Sequence, residues 1–241
     1  MLDWLRRDPR EEPVIEVAGK ALTLQIRRND RARRLTMRLA ADGQAVLVTL
    51  PRWTPSQEAL AFARSRIDWL EQQVGRIPAP QPIGDGSQFP FRGTLVILRH
   101  DPLVGRRVWL DDGDVLIGGP PENLAPRLSR WLKSEAQTLV AHDLDHYCDR
   151  AGHAVPDLSL SGAQRRWGSC SAKGVVRINW RLIMAPDLIR RSVVAHEVAH
   201  LSHFDHSPRF KAHLADIFEG DVAEADDWLR REGRGLYAHF G

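Results

Sequence analysis

The sequence predicts an α+β fold: an N-terminal β-rich module followed by a domain built around one helix that carries His196-Glu197-Val198-Ala199-His200. Three observations carry this expectation. Short β-type runs between turn signals fill the first half. A long stretch with helical periodicity then ends at Gly152. Two further strand-like runs precede an apolar segment, residues 188–195, that leads into the histidine pair.

The elements follow in order. Residues 14–17 and 22–26 flank a turn at Gly19, and 35–39 and 46–50 flank Asp42-Gly43, so both pairs predict hairpins. Thr54-Pro55 opens a helix, with Thr54 as cap, Gln57 completing a capping box, and Leu60, Ala63, Ile67, Leu70 and Val74 as the apolar stripe. Residues 76–86, rich in proline and glycine, read as a linker or long loop. Strands are expected near 94–99, 108–110 and 115–117, the last two joined through Asp112-Gly113, and a long helix from about 124 to 150.

Residues 157–161 and 175–180 then read as strands around a turn-rich segment, 165–174. One helix follows Pro186. Another starts at Pro208 behind the cap Ser207, and Asp221 caps a last helix that ends near Gly233. The chain divides on this basis into 1–83 (hairpins plus a helix), 84–121 (β-rich) and 122–241, the part that holds the histidines. Strand, strand, His-Glu-x-x-His helix, helix is the order of a zincin-like domain. An edge strand beside that helix would offer backbone hydrogen bonds to an extended peptide.

The histidine segment points to chemistry. Two histidines four apart lie on one face of a helix, one turn from each other, so both imidazoles reach one ion. Glu197 stands beside the first and can take a proton from a water on that ion. A buried helix carrying such groups without a use for them would bear their desolvation cost. The third ligand needs a turn. His203 shares the face but lies about 10 Å along the axis from His196. A chain that turns after His200 brings back His206 instead, and the Ser207-Pro208 start of a new helix fits that break. His206 is therefore the expected third ligand and His203 its rival. Three histidines leave one position open for water, as in catalytic zinc sites, whereas structural zinc sites use four protein ligands. Other divalent metals also accept three imidazoles.

Composition sets the outer bounds. The chain has 241 residues, 43% of them hydrophobic, enough to bury a sizeable core. No signal-peptide core and no apolar run of membrane-spanning length is present, so a cytoplasmic location is expected. Cys148 and Cys170 lack zinc-pair spacing and read as free thiols. His142 and His146 form another four-residue pair, without a following glutamate, and read as surface groups. Net charge is +3, and only four of the basic residues are lysine. The densest cluster, Arg27, Arg28, Arg31, Arg33, Arg34 and Arg38, reads as a solvated basic face or as a contact for nucleotide or nucleic acid.

Two motifs together resemble the YgjP-like metallopeptidase family. They are Arg166-Trp167-Gly168-Ser169-Cys170-Ser171, with the later Asn179-Trp180-Arg181-Leu182-Ile183 and Ala185-Pro186, and the His-Glu-x-x-His segment continuing to His206-Ser207 and Phe210. The likeness extends over most of residues 20–232. Lys211 stands where the family usually has an aromatic residue, and Asp205 where it usually has asparagine. The resemblance implies a zinc-dependent hydrolase with a zincin-type core that acts on a peptide or protein. It implies His196, His200 and His206 as metal ligands and Glu197 as general base. Arg166, Trp167 and Asn179 are the expected substrate contacts, with Arg166 and Tyr237 as candidates to stabilise an oxyanion. The alternatives are a nucleoside triphosphate pyrophosphatase, motivated by Arg165, Arg166 and Arg181, and a nucleic-acid-associated protease.

Overall fold

Ala18 and Gly19 both take positive φ, 49° and 72°, and close the two-residue turn between β1 (Val14–Val17) and β2 (Lys20–Arg28). That is the mirror-image turn whose twist suits a hairpin. The protein is described by a computed structural model that covers residues 13–40, 43–75, 81–164 and 166–240. β3 (Thr36–Leu39) and β4 (Ala45–Leu50) form the other expected hairpin, whose Asp42 lies outside the described residues. β2 and β4 pair in parallel, so the sheet runs β1-β2-β4-β3. Its inner face, Leu22, Leu24, Val46, Val48 and Leu50, is buried against Ala59, Ala63, Leu70 and Val74.

The helix expected after Thr54 is two helices, α1 (Ser56–Arg64) and α2 (Ile67–Gly75). The Ser65 hydroxyl turns back to the Phe62 carbonyl, and the Arg66 amide bonds Ala63 three residues back, which tightens and ends the first helix. The capping box does not form. Pro55 takes the cap position and Thr54 is buried, its carbonyl accepting from Arg28.

The chain forms two compact units, 1–78 and 79–241. The sequence reading divides the chain at 83 and 121 instead. Residues 84–121 bury Phe89, Val96, Leu98, Val115 and Ile117 in one continuous core with Leu128, Leu132 and Val194, so they are part of the second unit. They form the sheet β5-β6-β8-β7 from β5 (Gln88–Phe91), β6 (Thr94–His100), β7 (Val108–Asp111) and β8 (Asp114–Ile117). β5 escaped the sequence reading because Pro90 interrupts it, a residue that edge strands tolerate.

α3 (Leu124–Ala151) presents Leu124, Leu128, Leu132, Ala136, Val140 and Leu144 at four-residue spacing to this core. Beside it lies the sheet β10-β11-β9, made of β9 (Leu158–Ser161), β10 (Gly168–Cys170) and β11 (Val176–Asn179). β10 occupies the segment expected to be only turns. It is an edge strand, and α4 (Asp187–Ser202) packs on it. α5 (Pro208–Ile217) and α6 (Val222–Glu232) complete the unit, with Ser207 and Asp221 as the expected caps. Cys148 and Cys170 are free. Among the described residues no helix is long and apolar enough to cross a membrane.

Candidate active site

α4 is held rigidly at its start. The Asp187 carboxylate pairs with Arg92, from the turn between β5 and β6, and with Arg190 one helical turn on. Arg190 is buried and also meets Asp143 of α3 at 2.7 Å, an ion pair in which both partners are almost inaccessible. Such a pair locks orientation, because removing one partner leaves a buried charge uncompensated. The amides of Arg92 and Gly93 donate to the Ile183 and Met184 carbonyls just before the helix.

From this base α4 projects His196 and His200 on one face. The helix ends at Ser202, and His203 has extended backbone. The loop that follows returns His206 to the pair. Its Nε2 lies 3.2 Å from that of His196, the same distance that separates His196 and His200. The three ring nitrogens form a group within 4.8 Å of one another, the one such group of histidine, cysteine or carboxylate atoms among the described residues.

The donor set fits a metal. Two nitrogens on a tetrahedral zinc with bonds of about 2.0–2.1 Å sit about 3.3 Å apart, close to the observed spacing. Nδ1 of His200 is 2.8 Å from the His203 carbonyl and donates to it, which leaves Nε2 with its lone pair toward the group. Burial, with the neighbouring His200 and His206, pushes His196 down to about 4, so it is neutral and available as a ligand. Beneath all three lies the buried Phe210 ring. Its centroid is 5.0, 4.6 and 4.9 Å from those of His196, His200 and His206, and it stacks on His200.

Glu197, the residue after His196 on α4, is buried. Burial raises its carboxyl to about 7, against the opposing pull of the Cys170 amide that donates to it and of the Arg166 charge. Its space is made by Gly168 of β10, where a Cβ would come within 2.7 Å of the glutamate Cγ. The strand's other bonds run to β11: the Asn179 amide donates to the Trp167 carbonyl and the Ser171 amide to that of Val175. By the alternation of an antiparallel pair, the Gly168 and Cys170 backbone groups face away from β11.

The remaining expectations divide. Arg166 is exposed, with its charge acting on Glu197. Trp167 is half-buried, its ring packed on Tyr237, centroids 5.6 Å apart, and against Gly233. Asn179 is fully buried, its amide donates to the Ala163 carbonyl and the Tyr237 hydroxyl, and its side-chain oxygen accepts from the Arg181 amide. Tyr237, which donates to Ala163, has no proton left for an oxyanion. Arg181 is buried between the Trp180 and Tyr237 rings and donates to the Phe240 carbonyl, so it does not serve a polyphosphate. Arg165 lies outside the described residues. His203 stands outside the metal-type group, its ring near His213 and its carbonyl orienting His200. Of the other pair, His142 is exposed and His146 is half-buried against Tyr147.

Sequence reasoning missed Gly168, the Cys170 amide and the Arg92–Asp187 contact. Only the first could have left a signal, since a glycine between Trp167 and Ser169-Cys170 marks close approach if that segment is taken as a strand rather than as turns.

The family model described as YgjP-like, metallopeptidase domain, matches residues 33–232. No curated protein matches the chain. Among solved structures, the metallopeptidase zymogen of Pyrococcus abyssi abylysin aligns at 22% identity with a TM-score of 0.35, over 37% of this chain and 90% of that one.

Proposed function

Because the chain belongs to the YgjP-like metallopeptidase family, we propose that it is a zinc-dependent peptidase whose site comprises His196, His200, His206 and Glu197. The observation that carries this reading is the convergence of three imidazole nitrogens, with a buried carboxylate on the residue that follows the first of them. Zinc bound there would lower the pKa of a bound water to about 7 and polarise the scissile carbonyl.

The other steps belong to the chain. Glu197 takes the proton of the attacking water and returns it to the leaving amine. The Cys170 amide and the space at Gly168 hold that carboxylate in one orientation. The remaining outward groups of β10, those of Gly168 and the Cys170 carbonyl, would receive an extended segment of the substrate, and exposed Arg166 would contact it at the mouth. The pyrophosphatase alternative keeps Arg166 as its described basic group, since Arg181 is committed to the fold.

The experiment compares wild type and Glu197→Gln on an unstructured protein such as casein and on nucleoside triphosphates, with zinc measured in both. Peptide cleavage that disappears in Glu197→Gln while one zinc per chain remains is the expected result. Full turnover by Glu197→Gln would sink the assigned role. Release of pyrophosphate without peptide cleavage would establish the alternative.

A further inference from the structure

We propose that the N-terminal unit binds single-stranded nucleic acid at the end of its sheet, with Trp53 as a stacking platform and Arg27, Arg31, Arg33, Arg34 and Arg52 as phosphate contacts. The inference does not rest on the peptidase reading and concerns residues remote in sequence from the histidines.

The strand pairing brings these groups together. β2 and β4 run parallel and end in register, Arg28 opposite Leu50. The segments that follow them, 29–35 and 51–55, therefore emerge at the same end of the sheet. The first contributes Arg31, Arg33 and Arg34 and the second Arg52 and Trp53. Arg27, the preceding outward residue of β2, adds to the same end.

The charge there is one-sided. Residues 27–38 contain six arginines and a single acid, Asp30. Asp30 approaches Arg52 only at 3.9 Å, with both side chains about three-quarters exposed, which offsets little. Among the described residues no carboxylate pairs with Arg27, Arg31, Arg33 or Arg34, and all four are exposed. Guanidinium groups bind phosphate bidentately, and a cluster of them without counter-charges attracts a phosphodiester chain.

Trp53 supplies what a simple basic patch lacks. Its side chain is 74% exposed, the largest exposure of any aromatic residue among those described as exposed hydrophobics. It is nevertheless held from both sides. Arg28 donates to the Arg52 and Thr54 carbonyls, at 2.9 and 2.6 Å, and to the Ser56 hydroxyl at 2.9 Å. Those bonds bracket the tryptophan and fix its backbone, so little ordering remains to oppose binding. An exposed indole at the same end of the sheet as these arginines is suited to an unpaired base between its phosphates. A duplex hides its base faces. A membrane surface would ask for a wider apolar face than one ring, and Trp53 is the sole exposed large apolar residue on these two segments.

The test uses the full chain and a fluorescent oligothymidylate of about 20 nucleotides, followed by anisotropy. With about five phosphate contacts, affinity should fall roughly 130-fold between about 50 and 200 mM salt. Trp53→Ala should weaken binding about 10-fold at constant salt slope, because it removes stacking and no charge. The triple variant Arg31→Ala, Arg33→Ala, Arg34→Ala should flatten the salt slope. All the altered side chains are exposed, and a thermal melt confirms that each variant folds.

No binding at the lower salt overturns the proposal. So does equal binding of heparin and oligonucleotide with no effect of Trp53→Ala, which would mean ion exchange alone. Preference for duplex, or for phosphatidylserine vesicles over the oligonucleotide, overturns it as well. Zinc-free protein gives the same readout, so this result and the peptidase result stand or fall separately.

Discussion

Gly168 and Glu197 occupy adjoining space: a Cβ on Gly168 would lie 2.7 Å from the glutamate Cγ and 2.8 Å from its Cδ. The glycine at that strand position is what lets α4 press its carboxylate against β10 and take the Cys170 amide. Gly168→Ala should therefore act on Glu197 alone. The backbone angles at Gly168 are ones that alanine can adopt. A shift of about 1 Å in a proton-transfer group costs about 100-fold in rate, so kcat should fall by that order while zinc content is unchanged. Unaltered turnover in Gly168→Ala would show that the carboxylate has other room.

His203 and His206 are separated by their roles. His206 points a ring nitrogen at His196, whereas His203 acts through its main-chain carbonyl, which any side chain at that position retains. His206→Ala should lose zinc to a mild chelator, and His203→Ala should keep it. Elemental analysis after dialysis decides between them; zinc lost from His203→Ala but held by His206→Ala would reverse the assignment.

Phe210 is 2% exposed and supports all three imidazoles. Truncation to alanine opens a cavity under them, with a stability loss of about 3–5 kcal/mol in urea unfolding. Phe210→Leu should lose less. Both should weaken zinc binding without touching a ligand. Unchanged zinc affinity in a folded Phe210→Ala protein would show that the histidines hold their geometry without the ring.

Acid should loosen α4. Burial alone would raise the Asp187 carboxyl, but hydrogen bonds from Arg92 and Arg190 outweigh it and bring it below the ordinary aspartate value. A group lowered on folding contributes its stability fully above the unfolded value, about 4, and loses it as pH falls through the folded value. Asp187→Asn should thus be less stable than wild type at neutral pH, with the gap closing toward pH 3. Arg92→Ala should shrink the same gap. A pH-independent difference would mean that the ion pair is not its source.

Legibility in the sequence followed distance along the chain. The i, i+4 pair, the Ser207 and Asp221 caps and the Ala18-Gly19 turn are set within a few residues, where helix pitch, cap hydrogen bonds and allowed φ leave few options. Where local rules competed, the reading failed. Thr54 had the composition of a cap, yet its carbonyl is claimed by Arg28, 26 residues earlier. The contacts of Trp167 and Asn179 with Tyr237, 70 and 58 residues on, were likewise not legible from their own segments.

By itself, then, the sequence determined the metal-type motif, the helix that carries it, the turn toward His206 and the hairpins of the first unit. Only the tertiary structure decided that residues 84–121 share the core of the second unit, that β10 is the edge strand against α4, that Gly168 seats Glu197, and that Arg28 presents Trp53. These depend on parallel pairings and on contacts between residues far apart in the chain. No periodicity or turn chemistry encodes such contacts, because they form only when separate apolar faces are buried together.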